Sequence, residues 1–432
     1  MLKRVKYFSP EILVFLCAFL TRFIRLGEPP THFFDEVYHA FTAQQMFRGN
    51  PAAWEWWNTP PTGFAYEWTH PPLAKEFMVL SISIFGDNPF AWRFFSAFFG
   101  VGTVVLIYFI TLALFKSRKI ALLSSLVASL DGLILVMSRI AMNDSYFLFF
   151  SLLALFLFLK KKNLLMGIAL GLAIASKWTG VFTILITLIL FLIQNYKNLN
   201  HIKILELLFF WPLLLFNDFK FFKFLFSLII IPLVIYSTSY MPFFLQKHSP
   251  PGQNLSNVET FIELQQQMYW YHTRLKATHS YESKPIDWIF NLRPVWMHVG
   301  YQGSSIASIY TLENPIITLG GILSIFFILI EFFKKINFSK LTILVFYFGF
   351  FVPWIFSPRI MFNYHYLPST AFLTISLGVL LNYLWETKNT RIYSIVFLIL
   401  AVLLFIYFYP LWTGLHTLRD FYESHFWLKS WK

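Results

Sequence analysis

Long apolar runs recur from residue 10 to residue 409, far more than one aqueous core could bury. About 20 consecutive apolar residues can cross the ~30 Å hydrocarbon layer as a helix, which satisfies every backbone hydrogen bond internally. The chain is 57% hydrophobic and only 13% charged, where a soluble domain carries about a quarter charged residues. Its 54 Phe and 15 Trp suit lipid-facing and interfacial positions better than a water-excluded globular core. The expected class is therefore an all-α polytopic membrane protein.

The expected spans are 10–27, 91–115, 120–138, 145–159, 163–176, 179–194, 221–243, 313–333, 341–356, 365–384 and 391–409. They make about 11 transmembrane helices with two long external loops, about 28–90 and 244–312. Segment 204–216 is apolar but flanked by bases, and a crossing there would invert everything after it. It reads as an interfacial or re-entrant piece. The chain thus divides into an N-terminal module over 1–243, the second loop over 244–312 and a C-terminal module over 313–432. The first run starts basic, but Thr21-Arg22-Phe23-Ile24-Arg25 offers no small-residue cleavage site, so a retained helix is expected. Lone Cys17 lies inside that run and supports no disulfide framework.

A net charge of +13 invites a nucleic-acid reading, which its distribution refuses. On this topology the inner segments 3–6, 116–119, 160–162, 197–223, 334–340 and 388–391 hold 18 of the 34 bases. Only five of the 21 acids lie on the inner side, so elsewhere 16 bases meet 16 acids. Bases crowding one side are the positive-inside bias of a membrane protein, here with a cytoplasmic N-terminus and both long loops outside. A multi-pass plasma-membrane location follows, with any active site on the periplasmic or outer face.

Chemistry-bearing residues gather on the outer plane. Asp35 and Glu36, in Phe33-Phe34-Asp35-Glu36-Val37-Tyr38-His39, follow the first span. Neighbouring carboxylates at an interface must be solvated, paired or used; a helix points them about 100° apart, so they serve different roles. A solvated acidic helix start is the plainer reading of the same pair. In Glu67-Trp68-Thr69-His70-Pro71-Pro72-Leu73-Ala74-Lys75, Pro-Pro precedes an expected helix start, with Lys75 one turn in. Lys75 could meet an anion there or simply snorkel to headgroups. Arg93, in Trp92-Arg93-Phe94, opens the second span as either a phosphate fork or an interfacial anchor. Asp131 falls inside the third expected span and is expected to face the bundle interior. Arg139 and Asp144 sit at its outer turn, where they could pair or line a cavity; Lys177, Arg359 and His365 occupy outer links. The chain has no Walker loop, no Rossmann glycine fingerprint and no HExxH motif.

Taken in order, these stretches resemble the protein O-mannosyltransferases. The resemblance rests on Asp35-Glu36, His70-Pro71-Pro72-Leu73-Ala74-Lys75, Trp92-Arg93, Asp131-Gly132 with Ser138-Arg139 and Asp144, Ser176-Lys177-Trp178-Thr179-Gly180, and Tyr364-His365-Tyr366-Leu367-Pro368. Ser283-Lys284-Pro285 and Arg293-Pro294-Val295-Trp296 resemble that family's large external loop. Asp-Glu and His-Pro-Pro alone would also suit lipid A aminoarabinose transferases.

The resemblance implies a GT-C glycosyltransferase fold and inverting, metal-independent transfer without a cofactor. The implied donor is polyprenyl-phosphate-mannose, and the acceptor a Ser or Thr hydroxyl of a protein. It implies Asp35 as the base, Glu36 as a site-organising carboxylate, and Arg93, Arg139, Lys75 and Lys177 around the donor phosphate. His70, Asp144, Tyr38, Trp178, Arg359 and His365 would line the substrate pocket. Loop 244–312 is too short for the MIR domain of eukaryotic members, which points to a bacterial-type enzyme. Partners expected are the lipid donor, a protein acceptor and membrane lipids, with a dimer left open. The rivals are a related enzyme moving another sugar, such as aminoarabinose, to a lipid or glycan, and a flippase. A flippase would distribute ionisable groups along its helices toward both faces.

Overall fold

The computed structural model describes residues 9–195 and 219–432, so the segment 204–216 lies outside the described residues. Helices occupy each of the expected spans. Among the described residues six helices are long and apolar enough to cross a membrane alone, Pro89–Phe115 being the longest. Shorter apolar helices cover Asp144–Leu159, Asn163–Ser176 and Gly180–Asn195.

The first nine α-helices in chain order are α1 (Pro10–Phe23), α2 (His39–Phe47), α3 (Leu73–Phe85), α4 (Pro89–Phe115), α5 (Arg118–Ser129), α6 (Gly132–Met137), α7 (Asp144–Leu159), α8 (Asn163–Ser176) and α9 (Gly180–Asn195). Helix α3 begins directly after Pro71-Pro72, as the dipeptide requires, because proline cannot donate into a preceding turn. Helix α4 opens on Asn88, whose side chain accepts from Ala91 N at 3.0 Å, with Pro89 at its first position. At 27 residues it is roughly 40 Å long, and α1, α3, α5 and α7 pack around it.

The expected span 120–138 is not one helix. It breaks between α5 and α6, and Asp131 N-caps α6 by accepting from Ile134 N at 2.9 Å. The carbonyl of Leu130, freed by the break, accepts from Asn314 Nδ2 at 3.2 Å. A buried carboxylate is tolerated there because it completes a helix terminus instead of interrupting one.

Beyond the undescribed segment, helix follows from Phe219 to Thr238 with one π-helical stretch, Phe226–Ile230. An amphipathic helix, α10 (Asn257–Arg274), crosses the second external loop, started by the capping box of Ser256 and Glu259. The C-terminal helices are α11 (Pro315–Lys334), α12 (Phe338–Ile355), α13 (Leu367–Glu386) and α14 (Arg391–Thr413). Helix α13 lies against α5, where a Cβ on Gly378 would come 2.7 Å from Ser124 N, so only glycine lets these backbones approach.

One element has no helical counterpart. Strands β1 (Trp296–Gln302) and β2 (Ser305–Tyr310) form an antiparallel hairpin, and β3 (Thr417–Leu418), from beyond α14, adds to β2. The turn is Gly303-Ser304 with Gly303 at φ +57°, a two-residue connection suited to glycine.

Candidate active site

The expected outer residues meet at one end of the bundle, where a cavity of about 760 Å³ opens among loop 28–72, the starts of α9 and α13 and the ends of α10 and α12. Asp35, Tyr38, His70, Lys177, Trp178, Arg359 and His365 line it. The other expected residues do not reach it, and the structure gives the reason for each.

Asp35 and Glu36 sit in a short 3-10 helix, Phe34–Val37, whose roughly three residues per turn send neighbours in different directions. Asp35 faces the cavity. Glu36 turns inward, fully buried, and binds Arg93 through both oxygens at 2.7 and 2.8 Å. It also accepts from Phe33 N at 3.3 Å and from Ala141 N at 3.0 Å, tying the first loop to the α6–α7 link. Glu36 therefore anchors the short helix that carries Asp35.

Arg93 is corrected accordingly. Beyond the Glu36 fork, its NH1 donates to the carbonyls of Leu26 and Pro29 at 3.1 and 2.9 Å, and its NH2 to Thr31 at 3.0 Å. All five guanidinium donors are occupied, which leaves none for a phosphate. Arg139 is also turned away: it takes the carbonyls of Thr21, Arg22, Ile24 and Arg25 at 2.8–3.1 Å. Those are the orphan acceptors at the C-terminal end of α1, where a cation also complements the helix dipole. Lys75 donates to the Glu67 carboxylate and carbonyl, both at 2.6 Å, and to the His70 carbonyl at 3.0 Å, so it clamps the first loop. Asp144 pairs with Lys177 at 2.7 Å rather than with Arg139, and stands behind the cavity wall.

Two cations thus remain at the cavity. Lys177 caps the end of α8, held by Asp144, with Tyr364 6.0 Å from its ammonium. Arg359 lies over the Tyr271 ring at 5.4 Å and donates to His272 Nδ1. The opposite ring nitrogen, Nε2, donates to the Thr69 carbonyl at 2.7 Å. Those two partners define a neutral His272 tautomer, and burial together with Arg359 pulls its pKa down to about 4. His70 stacks between His39 and His272 at 6.0 and 4.9 Å, and burial holds it well below the usual imidazole range.

Asp35 has the opposite environment. Its carboxylate accepts no hydrogen bond from any described residue. Burial, and then the nearby charge of Asp144, push its pKa up to about 7, while Lys177 and Arg359 pull against them. An unpartnered carboxylate titrating near neutrality suits a general base. Among the described residues no three His, Cys, Asp or Glu side chains cluster as metal ligands.

His272, Tyr271, His39 and Asn143 also line the cavity and were not singled out in the sequence. For Tyr271 and His272 the only signal was the Tyr- and His-rich end of an amphipathic helix. Nothing local showed that α10 would bring His272 against Thr69 and Arg359.

This helical bundle, with a loop-borne carboxylate and cations around a cavity at one end, has the GT-C fold, as two solved structures show. The Saccharomyces cerevisiae protein O-mannosyltransferase complex bound to the sugar donor superposes with a TM-score of 0.76 at 17% identity, over 98% of this chain and 93% of that one. ArnT from Cupriavidus metallidurans bound to undecaprenyl phosphate gives 0.59 at 14% identity, over 90% of this chain and 61% of that one. The chain belongs to the dolichyl-phosphate-mannose-protein mannosyltransferase family, whose model matches residues 12–246. The model of the C-terminal four-transmembrane region of protein O-mannosyltransferases matches residues 257–431. A polyprenol-phosphate-mannose–protein mannosyltransferase of Mycolicibacterium smegmatis is 22% identical over all of this chain and 94% of its own length.

Proposed function

We propose that this protein transfers mannose from polyprenyl-phosphate-mannose to Ser or Thr hydroxyls of exported proteins, with inversion at the anomeric carbon. The observation that carries the mechanism is the unpartnered Asp35 carboxylate sharing one cavity with Lys177 and Arg359. Asp35 takes the hydroxyl proton as the acceptor oxygen bonds to C1 of mannose. The bond from C1 to the phosphate oxygen breaks at the same time. The departing phosphate carries the growing negative charge, which Lys177 and Arg359 stabilise in a water-poor site. A phosphate leaves without protonation, so one carboxylate suffices where glycosidases need two.

The cavity's walls suit two substrates arriving from different sides. Trp178, Phe182, Trp354 and Ile360, at the ends of α9 and α12, supply apolar lining that suits the polyprenyl chain. Tyr38, Tyr66, Trp68 and Thr278, from the loops, supply lining that suits the acceptor. The basic links 116–119, 160–162, 334–340 and 388–391 lie at the helix ends opposite the cavity. Positive links belong in the cytoplasm, so the cavity faces the periplasm or exterior of the cell membrane. The cavity's ionisable residues crowd one end of the bundle, an arrangement that favours an enzyme over a flippase. Family membership favours mannose over aminoarabinose.

Purified protein given sugar-labelled polyprenyl-phosphate-mannose and Ser/Thr peptides is expected to yield α-mannosyl peptide. No peptide labelling, with label appearing on lipid instead, would overturn the acceptor assignment. Arg359→Ala is expected to lower kcat/KM for the donor by roughly 10²-fold. Because Arg359 pulls the Asp35 pKa down, its loss also moves the acid limb of the pH profile to higher pH. Unchanged donor KM and unchanged limb would remove Arg359 from the phosphate site.

A further inference from the structure

The hairpin carries an edge with no strand beside it. In the sheet order β1-β2-β3, β1 has a partner on one side only. The register pairs Gln302 with Ser305, Gly300 with Ala307 and His298 with Ile309. Across a two-residue turn the flanking pair exchanges both hydrogen bonds, and such pairs alternate along the hairpin. Val299 and Tyr301 are the intervening residues, so their N–H and C=O groups point away from β2. No described residue hydrogen-bonds the backbone of either, and Tyr301 is 72% exposed.

Native proteins cover such edges, charge them or break them with proline. Val299-Gly300-Tyr301 carries no charge and no proline. The edge also adjoins the catalytic loop: the His298 ring packs on Phe33 at 5.8 Å, two residues before Asp35. Two residues earlier on β1, the Trp296 ring lies 6.5 Å from that of Tyr281, itself beside His279, which lines the cavity.

We infer that the free edge of β1 is a docking strand for the acceptor, which binds as an extended polypeptide pairing with the backbone of Val299 and Tyr301. This rests on the mannosyl-transfer reading above. Asp35 is half-buried in a cavity that an extended segment can enter, and backbone pairing accepts any side-chain sequence, which suits an enzyme acting on many Ser/Thr sites.

The test uses full-length enzyme, polyprenyl-phosphate-mannose, a nine-residue threonine peptide and a single blocked threonine. Wild-type transfer to the blocked threonine tests the function itself; the advantage of the long peptide over it tests the edge. Tyr301→Pro removes one outward N–H at a position where edge strands tolerate proline. It is expected to raise the KM of the long peptide about tenfold, shrinking its advantage by the same factor with little change in kcat. Alternate N-methylation of the peptide, which needs no variant, is expected to do the same with wild-type enzyme. Equal KM for methylated and unmethylated peptides, or a Tyr301→Pro effect on self-association alone, would overturn the proposal.

Discussion

Asp35→Asn is expected to lower kcat for mannosyl transfer by roughly 10³-fold, within the range a positioned general base contributes. The replacement is isosteric and makes no new charge, and the native carboxylate accepts no hydrogen bond from a described residue that the amide would lose. Folding should therefore survive. Its sign on stability is opposite to its sign on activity. With the folded pKa raised to about 7 from an ordinary 3.8, the native state holds a proton that the unfolded chain releases between those values. Native stability then falls as pH rises through that window, and the asparagine variant escapes the loss. At pH 7 it should melt slightly above wild type while being nearly inactive. In wild type, kcat/KM should climb with pH to a midpoint near 7, since only the deprotonated carboxylate accepts the proton. A variant retaining wild-type turnover, or a pH profile flat from 5 to 8, would take Asp35 out of the mechanism.

Arg93→Met is expected to cost roughly 3–5 kcal/mol of stability, the scale for stranding one member of a buried ion pair. The Glu36 carboxylate would keep Phe33 N and Ala141 N but lose both guanidinium bonds. The carbonyls of Leu26, Pro29 and Thr31 would lose their donors as well. Activity should fall with the loop that carries Asp35, and the loss should appear as a lower Tm. Pairing Arg93→Met with Glu36→Gln should recover part of the deficit, because the uncompensated charge is gone. A wild-type Tm together with a raised donor KM would instead return Arg93 to the phosphate.

The Asp35-Glu36 reading from sequence expected the two carboxylates to point apart, and they do: Asp35 lines the cavity and Glu36 is buried against Arg93. The family resemblance implied Arg93, Arg139, Lys75 and Lys177 around the donor phosphate, while the residues alone left Arg93 and Lys75 open between an anion contact and an anchor. The plane was legible and the partners were not. Arg139 ends on four carbonyls of a helix terminus more than a hundred residues earlier, a contact no local pattern encodes. The β1–β2 hairpin left a faint trace in Gly303-Ser304 between β-prone residues, outweighed by helical periodicity on every side.

The sequence by itself determined most of the helical segments, the uneven distribution of charge and the end of the bundle at which the chemistry-bearing residues gather. Hydrophobic run length, basic links and Pro-Pro breaks act locally and need no partner. Tertiary structure alone decided which cations stay available to substrate. A buried guanidinium or ammonium turns to whichever unsatisfied carbonyls and carboxylates the fold brings within 3 Å. Lys177 and Arg359 face the cavity because packing supplied them with fewer such partners.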